Sequence, residues 1–489
     1  MSASTEAEAG AGPAVTDAGA PSGYGRNAAV LSLGIGVTGL VTYAYFSLAS
    51  HFLSEADYGR ITVLWSAIYV VIGVLYRPVE QLLSHSIADA QARGRPEAHQ
   101  LRVAAGLQLG LGVVFAAAAL VFRGPIEDDL LGGSSRLYWI FVVAVLAYAA
   151  SYFARGFLAG NRRFGLYGGL VLMEAVSRCL FAVAVAVGIA EGQSAVALGM
   201  AAAPIVSLAV VPPALGRMRA RRRSGAVEGV GGASAPVAPG PAPSSSTPGP
   251  AADSQAVTGD AAAAAEPSAE TPRVKETEFT LSQGTGFAAA VLVVMLCEQT
   301  IINAGPLVVK STEGVAGAAL AGFVFNALLV ARAPLQLFQS VQTSILPHLT
   351  HLRAGGDQDP FRRSINLTLI AIAGFAAIVS LVMAAVGPTL MDVFFGGEVE
   401  YARGGLVLVA LGMGFYLASA TLNQAALAQR RAARAAGCWT VSAGSFVTYL
   451  LVLRPDDRVL QVEAGFLGAA LVLCGLLYAV YRVELRPES

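Results

Sequence analysis

Apolar residues along this chain gather in long stretches that short polar segments separate. Twelve of these stretches approach the roughly 20 residues that an α-helix needs to cross a bilayer. They predict membrane-spanning helices at 28–50, 61–83, 101–123, 137–160, 166–190, 195–215, 284–309, 315–340, 365–387, 403–426, 435–453 and 462–481. The pattern therefore predicts an all-α polytopic membrane protein.

Two segments carry too few apolar residues to fold by themselves. Residues 1–26 are rich in Ala, Gly and Ser, and residues 224–275 contain eight prolines and a run of three serines. Such compositions are typical of disordered segments. We predict a disordered tail at 1–26 and a disordered linker at 224–275. The linker separates a six-helix N-terminal lobe (27–223) from a six-helix C-terminal lobe with a short tail (276–489).

Positive charge is distributed unequally between the two sides of the predicted bundle. The side with both termini and the loops after even-numbered spans holds 21 of the 32 Lys and Arg residues, and the other side holds seven. Cytoplasmic loops carry the excess of Lys and Arg. We therefore predict a multi-pass protein with both termini and the linker in the cytoplasm. Heavy use of Ala, Gly and Arg with only two lysines suggests a bacterial genome, so the predicted location is a bacterial cytoplasmic membrane.

Three short motifs recur six spans apart and in the same order. The matched pairs are Arg77-Pro78 with Arg332-Ala333-Pro334, Gly124-Pro125 with Gly387-Pro388, and Asn161-Arg162-Arg163 with Gln429-Arg430-Arg431. Because six is even, both halves enter the membrane from the same side. The sequence thus predicts a parallel repeat, the two-lobed arrangement of transporters that alternate access around a central cavity.

Composition excludes several classes of function. Charged residues make up 13% of the chain, against about 25% in soluble domains, and the net charge is zero. A nucleic-acid partner is not indicated, since it would require a basic surplus. Four isolated cysteines give neither a zinc motif nor a disulfide framework, and no GK[ST] phosphate loop is present. We predict no metal and no cofactor.

Ionisable and amide side chains inside the predicted spans are the candidate site. A charged side chain in the bilayer centre is costly, so it faces protein or a wet cavity. The predicted cavity residues are Arg77, Glu80, Glu174, Arg178, Glu298, Asn303, Arg332 and Gln336. Glu298 is the candidate for ion coupling, because a buried carboxyl can carry a proton. The alternatives are structural pairs, Arg77 with Glu80 and Glu174 with Arg178, and plain hydrogen bonding between helices.

Glycine and proline positions indicate local packing. Gly156-x-x-x-Gly160 permits close approach of a second helix, and Pro204, Pro306 and Pro334 are expected to kink their spans. These residues indicate a packed bundle without identifying a substrate.

Three segments resemble one protein family. Residues 52–75 (FLSEADYGRITVLWSAIYVVIGVL), 154–186 (ARGFLAGNRRFGLYGGLVLMEAVSRCLFAVAVA) and 344–365 (SILPHLTHLRAGGDQDPFRRSI) are similar to segments of polysaccharide-biosynthesis flippases. These belong to the multidrug/oligosaccharidyl-lipid/polysaccharide (MOP) exporter superfamily. The resemblance implies two six-helix lobes that rock to move a lipid-linked oligosaccharide or another amphiphilic substrate across the membrane. It also implies partnership with polysaccharide-assembly enzymes.

Other functions compete with a flippase. A multidrug or small-metabolite exporter on the same fold is the main alternative. A major-facilitator transporter also has twelve helices, but the segment after the second span has His85 and Ala90 where its signature requires Gly and Arg. An enzyme is disfavoured because the predicted outer loops are short. A scaffold without transport activity remains the last alternative.

Overall fold

The computed structural model describes residues 23–94, 96–210, 281–314, 316–330, 358–396, 400–429 and 431–483. Within these ranges the chain forms thirteen α-helices. They are α1 (Gly23–Phe52), α2 (Glu55–Leu75), α3 (Arg77–Ala92), α4 (Ala98–Val121), α5 (Ser135–Gly160), α6 (Phe164–Ala186), α7 (Gly192–Ser207), α8 (Leu281–Thr312), α9 (Gly317–Val330), α10 (Gln358–Phe395), α11 (Arg403–Ala428), α12 (Ala432–Val452) and α13 (Arg458–Val483).

Each of the twelve predicted spans overlaps one of these helices, with the second span divided between α2 and α3. In the described part of the chain, nine helical segments are long and apolar enough to cross a membrane, and α7 and α9 are shorter apolar helices. The predicted all-α membrane fold with two six-helix lobes is confirmed. Helix α1 begins inside the segment assigned to the tail, and the linker at 224–275 lies outside the described residues.

The second span breaks at Tyr76, which ends α2 and precedes α3 with φ −105° and ψ −28°. Pro78 is the second residue of α3 and has no N–H with which to bond the carbonyl of Val74. A proline is tolerated in the first turn of a helix but interrupts the hydrogen bonds of a continuous one. The break places Arg77 in the middle of the span.

The ninth span is longer than predicted. Helix α10 continues through Pro388 to Phe395, whereas the sequence suggested a loop after residue 387. Phe394 and Phe395 pack against Tyr43 of α1, with ring centroids 5.1 and 5.3 Å apart. This contact stabilises the extra turns, because aromatic burial outweighs one missing backbone hydrogen bond. The equivalent segment of the N-terminal lobe instead forms a π-helix at Pro125–Leu130.

Packing within the lobes repeats with a spacing of six spans. The N-terminal lobe has the packed pairs α4–α5, α5–α7 and α6–α7, and the C-terminal lobe has the corresponding pairs α10–α11, α11–α13 and α12–α13. Helices α5 and α11 also end alike. The N–H of Arg163 bonds to the carbonyl of Leu158 at 2.8 Å, and that of Arg431 to Ala426 at 2.9 Å. These are the long hydrogen bonds of a Schellman-type helix end, and they support the parallel repeat.

Two glycines bring α3 close to α5. A Cβ on Gly156 would lie 2.8 Å from the carbonyl oxygen of Glu80, and a Cβ on Gly160 would lie 2.8 Å from Cβ of Ile87. The close packing predicted for Gly156-x-x-x-Gly160 is therefore confirmed, with α3 as the partner helix. This contact fixes the half of the second span that carries Glu80.

The two lobes meet at the end that carries the loops after odd-numbered spans, which we call the predicted outer end. The hydroxyl of Tyr58 donates to Oδ1 of Asn326, and Asn326 Nδ2 donates to the hydroxyl of Tyr401 at 3.1 Å. Phe46 packs on Phe325, with ring centroids 4.6 Å apart. Five further residues lie at this end: Tyr43 and Gly59 of the N-terminal lobe, and Ala318, Gly322 and Phe394 of the C-terminal lobe. Together with Tyr58, Asn326, Tyr401, Phe46 and Phe325 they form what we call the outer contact.

Candidate functional site

The second and seventh spans cross in the middle of the bundle. Gln299 of α8 fills the space beside Gly73 of α2, where a Cβ would lie 2.7 Å from its Cδ atom. One turn further along, the break at Tyr76 directs Arg77 toward the same part of α8. The crossing therefore brings polar side chains of both lobes together at mid-depth.

Arg77 and Glu298 form an ion pair between the two lobes. Nη1 of Arg77 lies 3.4 Å from Oε1 of Glu298, and the side chains are 26% and 20% exposed. This distance exceeds the 2.7–2.9 Å of a tight charge-assisted hydrogen bond. The pair is thus loose and partly accessible, so another ion can compete for either partner.

The sequence offered Glu80 as the neighbour of Arg77, one turn away on α3. The structure instead gives Glu298, from a helix 221 residues further along the chain, as the ion-pair partner of Arg77. Glu80 accepts a hydrogen bond of 2.9 Å from the hydroxyl of Tyr167 on α6. The break at Tyr76 explains why Arg77 pairs with Glu298 and not with Glu80, because it directs Arg77 toward α8.

A buried polar cluster lies within the N-terminal lobe. Glu174 of α6 is 1% exposed, pairs with Arg155 of α5, and accepts a hydrogen bond from Ser151. Ser207, at the end of α7, contacts the same carboxylate at 3.5 Å. The cluster therefore joins three helices of one lobe through a single carboxylate.

Arg178 does not pair with Glu174, although the two residues lie one turn apart on α6. Its Nη1 donates to the hydroxyl of Tyr148 at 2.7 Å, and its guanidinium lies over the Trp65 ring, 4.9 Å from the centroid. Arg155 approaches Glu174 from α5 and takes the place that the sequence spacing suggested for Arg178. Cation–π contact with Trp65 stabilises the buried guanidinium in place of a carboxylate.

Of the other predicted site residues, Asn303 is described and two are not. Asn303 is 1% exposed and donates to the carbonyl and Oε1 of Gln299 at 3.1 and 3.2 Å, which orients the side chain beside Gly73. Arg332 and Gln336 lie outside the described residues. The cavity role of all eight predicted residues stays a prediction.

Sequence reasoning missed several polar residues near the site. Tyr167, which donates to Glu80, and Asn326, at the outer contact, are ordinary in apolar spans, and only the packing of distant helices gives them hydrogen-bond partners. The hydroxyl of Tyr416 is buried and has no hydrogen-bond partner among the described residues.

No protein-family model matches the sequence. The chain is similar to uncharacterized proteins of Mycobacterium bovis and Mycobacterium tuberculosis, each 30% identical over 152 residues. The match covers 30% of this chain and 34% of each relative, so the chain spans about a third of the length of the curated relatives it matches.

Solved structures match nearly the whole chain. A MATE transporter of Vibrio cholerae has a TM-score of 0.55 at 15% identity and covers 95% of this chain and 98% of its own. A multidrug resistance MATE family transporter of the MOP superfamily, in an inward-facing conformation, has a TM-score of 0.59 at 12% identity, covering 94% and 98%. The lipid II flippase MurJ, in an inward closed conformation, has a TM-score of 0.56 at 11% identity, covering 93% and 87%.

At these identities the likeness concerns the fold. It agrees with the twelve spans, the two lobes and the repeat derived above. The polysaccharide-biosynthesis family suggested by the resembling segments is not among these neighbours and stays an expectation. The chain therefore has the two-lobed, twelve-helix fold shared by MATE transporters and the MurJ flippase of the MOP superfamily.

Proposed function

We propose that this protein is a transporter that moves a lipid-linked oligosaccharide, or a related polysaccharide precursor, across the membrane by alternating access. The observation that carries the proposal is the ion pair between Arg77 and Glu298. It joins the two lobes at mid-depth, while the lobes also touch at the outer contact. Motion of one lobe against the other must break and re-form both connections.

Competition for Arg77 supplies a physical route for an anionic substrate. The diphosphate of a lipid-linked sugar can pair with the guanidinium, which matches phosphate oxygens in a bidentate arrangement. Protonation of Glu298 removes its negative charge and so weakens the ion pair with Arg77, which favours binding of the substrate to the guanidinium. In this scheme Glu298 couples proton binding to capture of the headgroup. The loose 3.4 Å geometry supports exchange of partners.

An exporter of cationic drugs is the second candidate, because the same pair exposes a carboxylate. A cation would compete with Arg77 for Glu298 rather than with Glu298 for Arg77. The neighbours include a multidrug resistance transporter as well as a lipid II flippase, at TM-scores of 0.59 and 0.56. The two candidates therefore differ in which residue of the pair holds the cargo.

Flipping in proteoliposomes tests the proposal. The purified full chain is reconstituted with a fluorescent polyprenyl-diphosphate oligosaccharide, and a membrane-impermeant quencher measures its leaflet distribution with and without a pH gradient. We expect protein-dependent movement that Arg77→Gln abolishes. Glu298→Gln is expected to keep movement but remove its response to the gradient. Asp128→Asn, an exposed change in a predicted outer loop, is the matched control.

Other outcomes have distinct meanings. Loss of export of a fluorescent cation in Glu298→Gln, with no movement of any lipid-linked sugar, supports the drug exporter. Movement of the lipid that neither substitution changes contradicts the role of the ion pair. Movement of neither cargo in a folded protein contradicts the transporter proposal.

The same preparation tests the predicted orientation in the bacterial cytoplasmic membrane. We expect an impermeant thiol reagent to label Asp128→Cys in intact cells and to label Arg93→Cys only after permeabilisation. Both positions are exposed and lie at opposite ends of the bundle. The reverse pattern would contradict the orientation derived from the loop charges.

A further inference from the structure

A carboxyl group of the C-terminal lobe is buried without a partner among the residues that the structure describes. Glu463 lies on α13, five residues after the start of the helix, and is 2% exposed. No described residue forms a hydrogen bond or an ion pair with it, in contrast to Arg458 on the same helix. Arg458 pairs with Glu313 and donates to Gln461 at 2.6 Å.

The space for this carboxyl exists because residue 405 is glycine. A methyl group on Gly405 would overlap the carboxyl oxygens of Glu463. Gly405 lies in the first turn of α11, and Ala402 at the N-cap has no side chain that can accept a hydrogen bond. The peptide N–H groups at a helix N-terminus carry partial positive charge. Glu463 therefore faces an uncapped helix terminus.

The basic groups nearby are engaged elsewhere or lie at the surface. Lys310 of α8 donates to the carbonyl of Gly314 at 2.9 Å, and Arg458 forms an ion pair with Glu313. Arg403 is exposed. The titratable and charged groups at this end of the helices around α13 are Lys310, Glu313, Asp392, Glu400, Tyr401, Arg403, Tyr449, Arg454, Asp456, Asp457 and Arg458. Asp457 adds a charge of the same sign as a Glu463 carboxylate, and no described basic group pairs with Glu463.

The first turn of α11 also links Glu463 to the outer contact. Tyr401 lies one turn before Gly405, and its hydroxyl accepts the hydrogen bond from Asn326. Asn326 in turn accepts from Tyr58 of the other lobe. A change in charge under this turn therefore acts directly beside the residues that hold the lobes together.

We propose that Glu463 is a proton-binding site that controls the outer contact, holding a proton while the lobes are closed there and releasing it when they separate. The inference rests on the proposed alternating-access function. It concerns a site distinct from the pair of Arg77 and Glu298.

Burial determines whether the Glu463 carboxyl is neutral or ionised while the lobes are closed at the outer contact. Burying an unpaired carboxylate costs more free energy than a helix terminus returns, so the neutral group is the stable one. When the lobes separate and water reaches Glu463, hydration and the N-terminus of α11 together stabilise the carboxylate. A metal cation would need several oxygen ligands, and the described residues contain no group of three Asp, Glu, His or Cys side chains placed so that they could hold a metal ion. One carboxyl is enough for a proton.

The direction of the pH effect follows from proton counting. The closed arrangement binds one more proton than the open one, so acid favours closure and alkali favours opening. Linkage for a single proton limits the change in the open-to-closed ratio to about tenfold per pH unit. Substitution of Glu463 by an uncharged residue removes this dependence.

Cross-linking across the outer contact measures closure without any substrate. Tyr43→Cys and Phe394→Cys are introduced into a variant that lacks the four natural cysteines, and the full chain in proteoliposomes is treated with a short bifunctional methanethiosulfonate. With Glu463 present, we expect the yield to fall as the buffer changes from mildly acidic to mildly alkaline. With Glu463→Gln, we expect the yield to stay at the acidic level at every pH. Glu463→Asp is expected to restore a pH response.

Glu400→Gln is the matched control, because Glu400 is exposed and directly precedes Tyr401. It should leave the pH profile unchanged. A profile that is flat with Glu463 present overturns the inference, and this outcome requires no variant of Glu463. An unchanged slope in Glu463→Gln also overturns it. Because the yield is measured without cargo, a failure of lipid flipping would leave this result intact and would count against the proposed function alone.

Discussion

Gly59 of α2 lies against the backbone of Ala318 of α9, so closely that a Cβ on Gly59 would overlap the carbonyl oxygen of Ala318. The two residues belong to different lobes, and the contact is between backbones. No rotamer change can relieve such an overlap. The fit of the two lobes at the predicted outer end therefore depends on the absence of one side chain.

Gly59→Ala is expected to weaken the outer contact. The added methyl group forces α2 and α9 apart, and overpacking of this kind costs about 1–3 kcal/mol. Cross-linking between Tyr43→Cys and Phe394→Cys should fall several-fold while each lobe remains folded. Gly124→Ala is the control, because nothing lies within 4 Å of a Cβ at that helical position. Equal yields in the two variants would show that the backbone contact does not limit closure.

The pair of Arg77 and Glu298 is expected to contribute modestly to stability. Both side chains are about a quarter exposed, so solvent screens the pair and its coupling should be about 1 kcal/mol. A double-mutant cycle with Arg77→Gln and Glu298→Gln, measured by thermal unfolding in detergent, checks this value. A coupling several times larger would contradict the loose, exchangeable pair on which the proposed function relies.

Removal of Arg155 is expected to destabilise the N-terminal lobe strongly. Arg155→Met leaves the buried carboxylate of Glu174 without its cation, which costs about 3–5 kcal/mol. Adding Glu174→Leu to the first change should recover most of the loss. Arg178→Met is the comparison, since it removes a contact with Tyr148 and Trp65 but leaves no carboxylate unpaired. Equal melting temperatures for Arg155→Met and Arg178→Met would contradict the assigned pairing.

The close approach of α3 and α5 predicts that Gly156 tolerates no side chain. Gly156→Leu should push α3 away from α5 and lower the free energy of unfolding by about 1–3 kcal/mol. Gly169→Leu on α6 is the control, because a Cβ there meets nothing within 4 Å. Thermal unfolding in detergent provides the measurement. A Gly156 variant as stable as the Gly169 variant would show that α3 can shift without cost.

Much of the fold could be predicted from local sequence. A span needs about 20 apolar residues whatever its neighbours are, so hydropathy alone located all twelve. The repeat was also readable, because Arg163 and Arg431 occupy equivalent helix ends and make the same backbone hydrogen bond. The C-terminal end of α10 could not be predicted from local sequence, because its extra turns depend on the distant ring of Tyr43.

The candidate site was predicted less completely. From the sequence, Arg77, Glu298, Glu174 and Arg178 could be singled out as charges that need partners, because the cost of a charge in the bilayer does not depend on the fold. The sequence did not identify the partners, since neighbours on one helix were the only candidates that spacing could offer. Glu463 escaped notice because it lies near the end of its span, where a carboxylate usually reaches water.

By itself the sequence determined the membrane class, the number of spans, the two-lobed repeat and which charged residues lie within the spans, where burial costs free energy. The repeat follows from motifs that recur in the same order, and the rest follows from the transfer of single residues or short helices from water to lipid, which is a local property. Only the tertiary structure decided that Arg77 meets Glu298, that Arg155 displaces Arg178, and that Gly59 and Gly405 leave room for Ala318 and Glu463. Such pairings depend on how helices hundreds of residues apart cross, and spacing within one helix carries no information about that crossing.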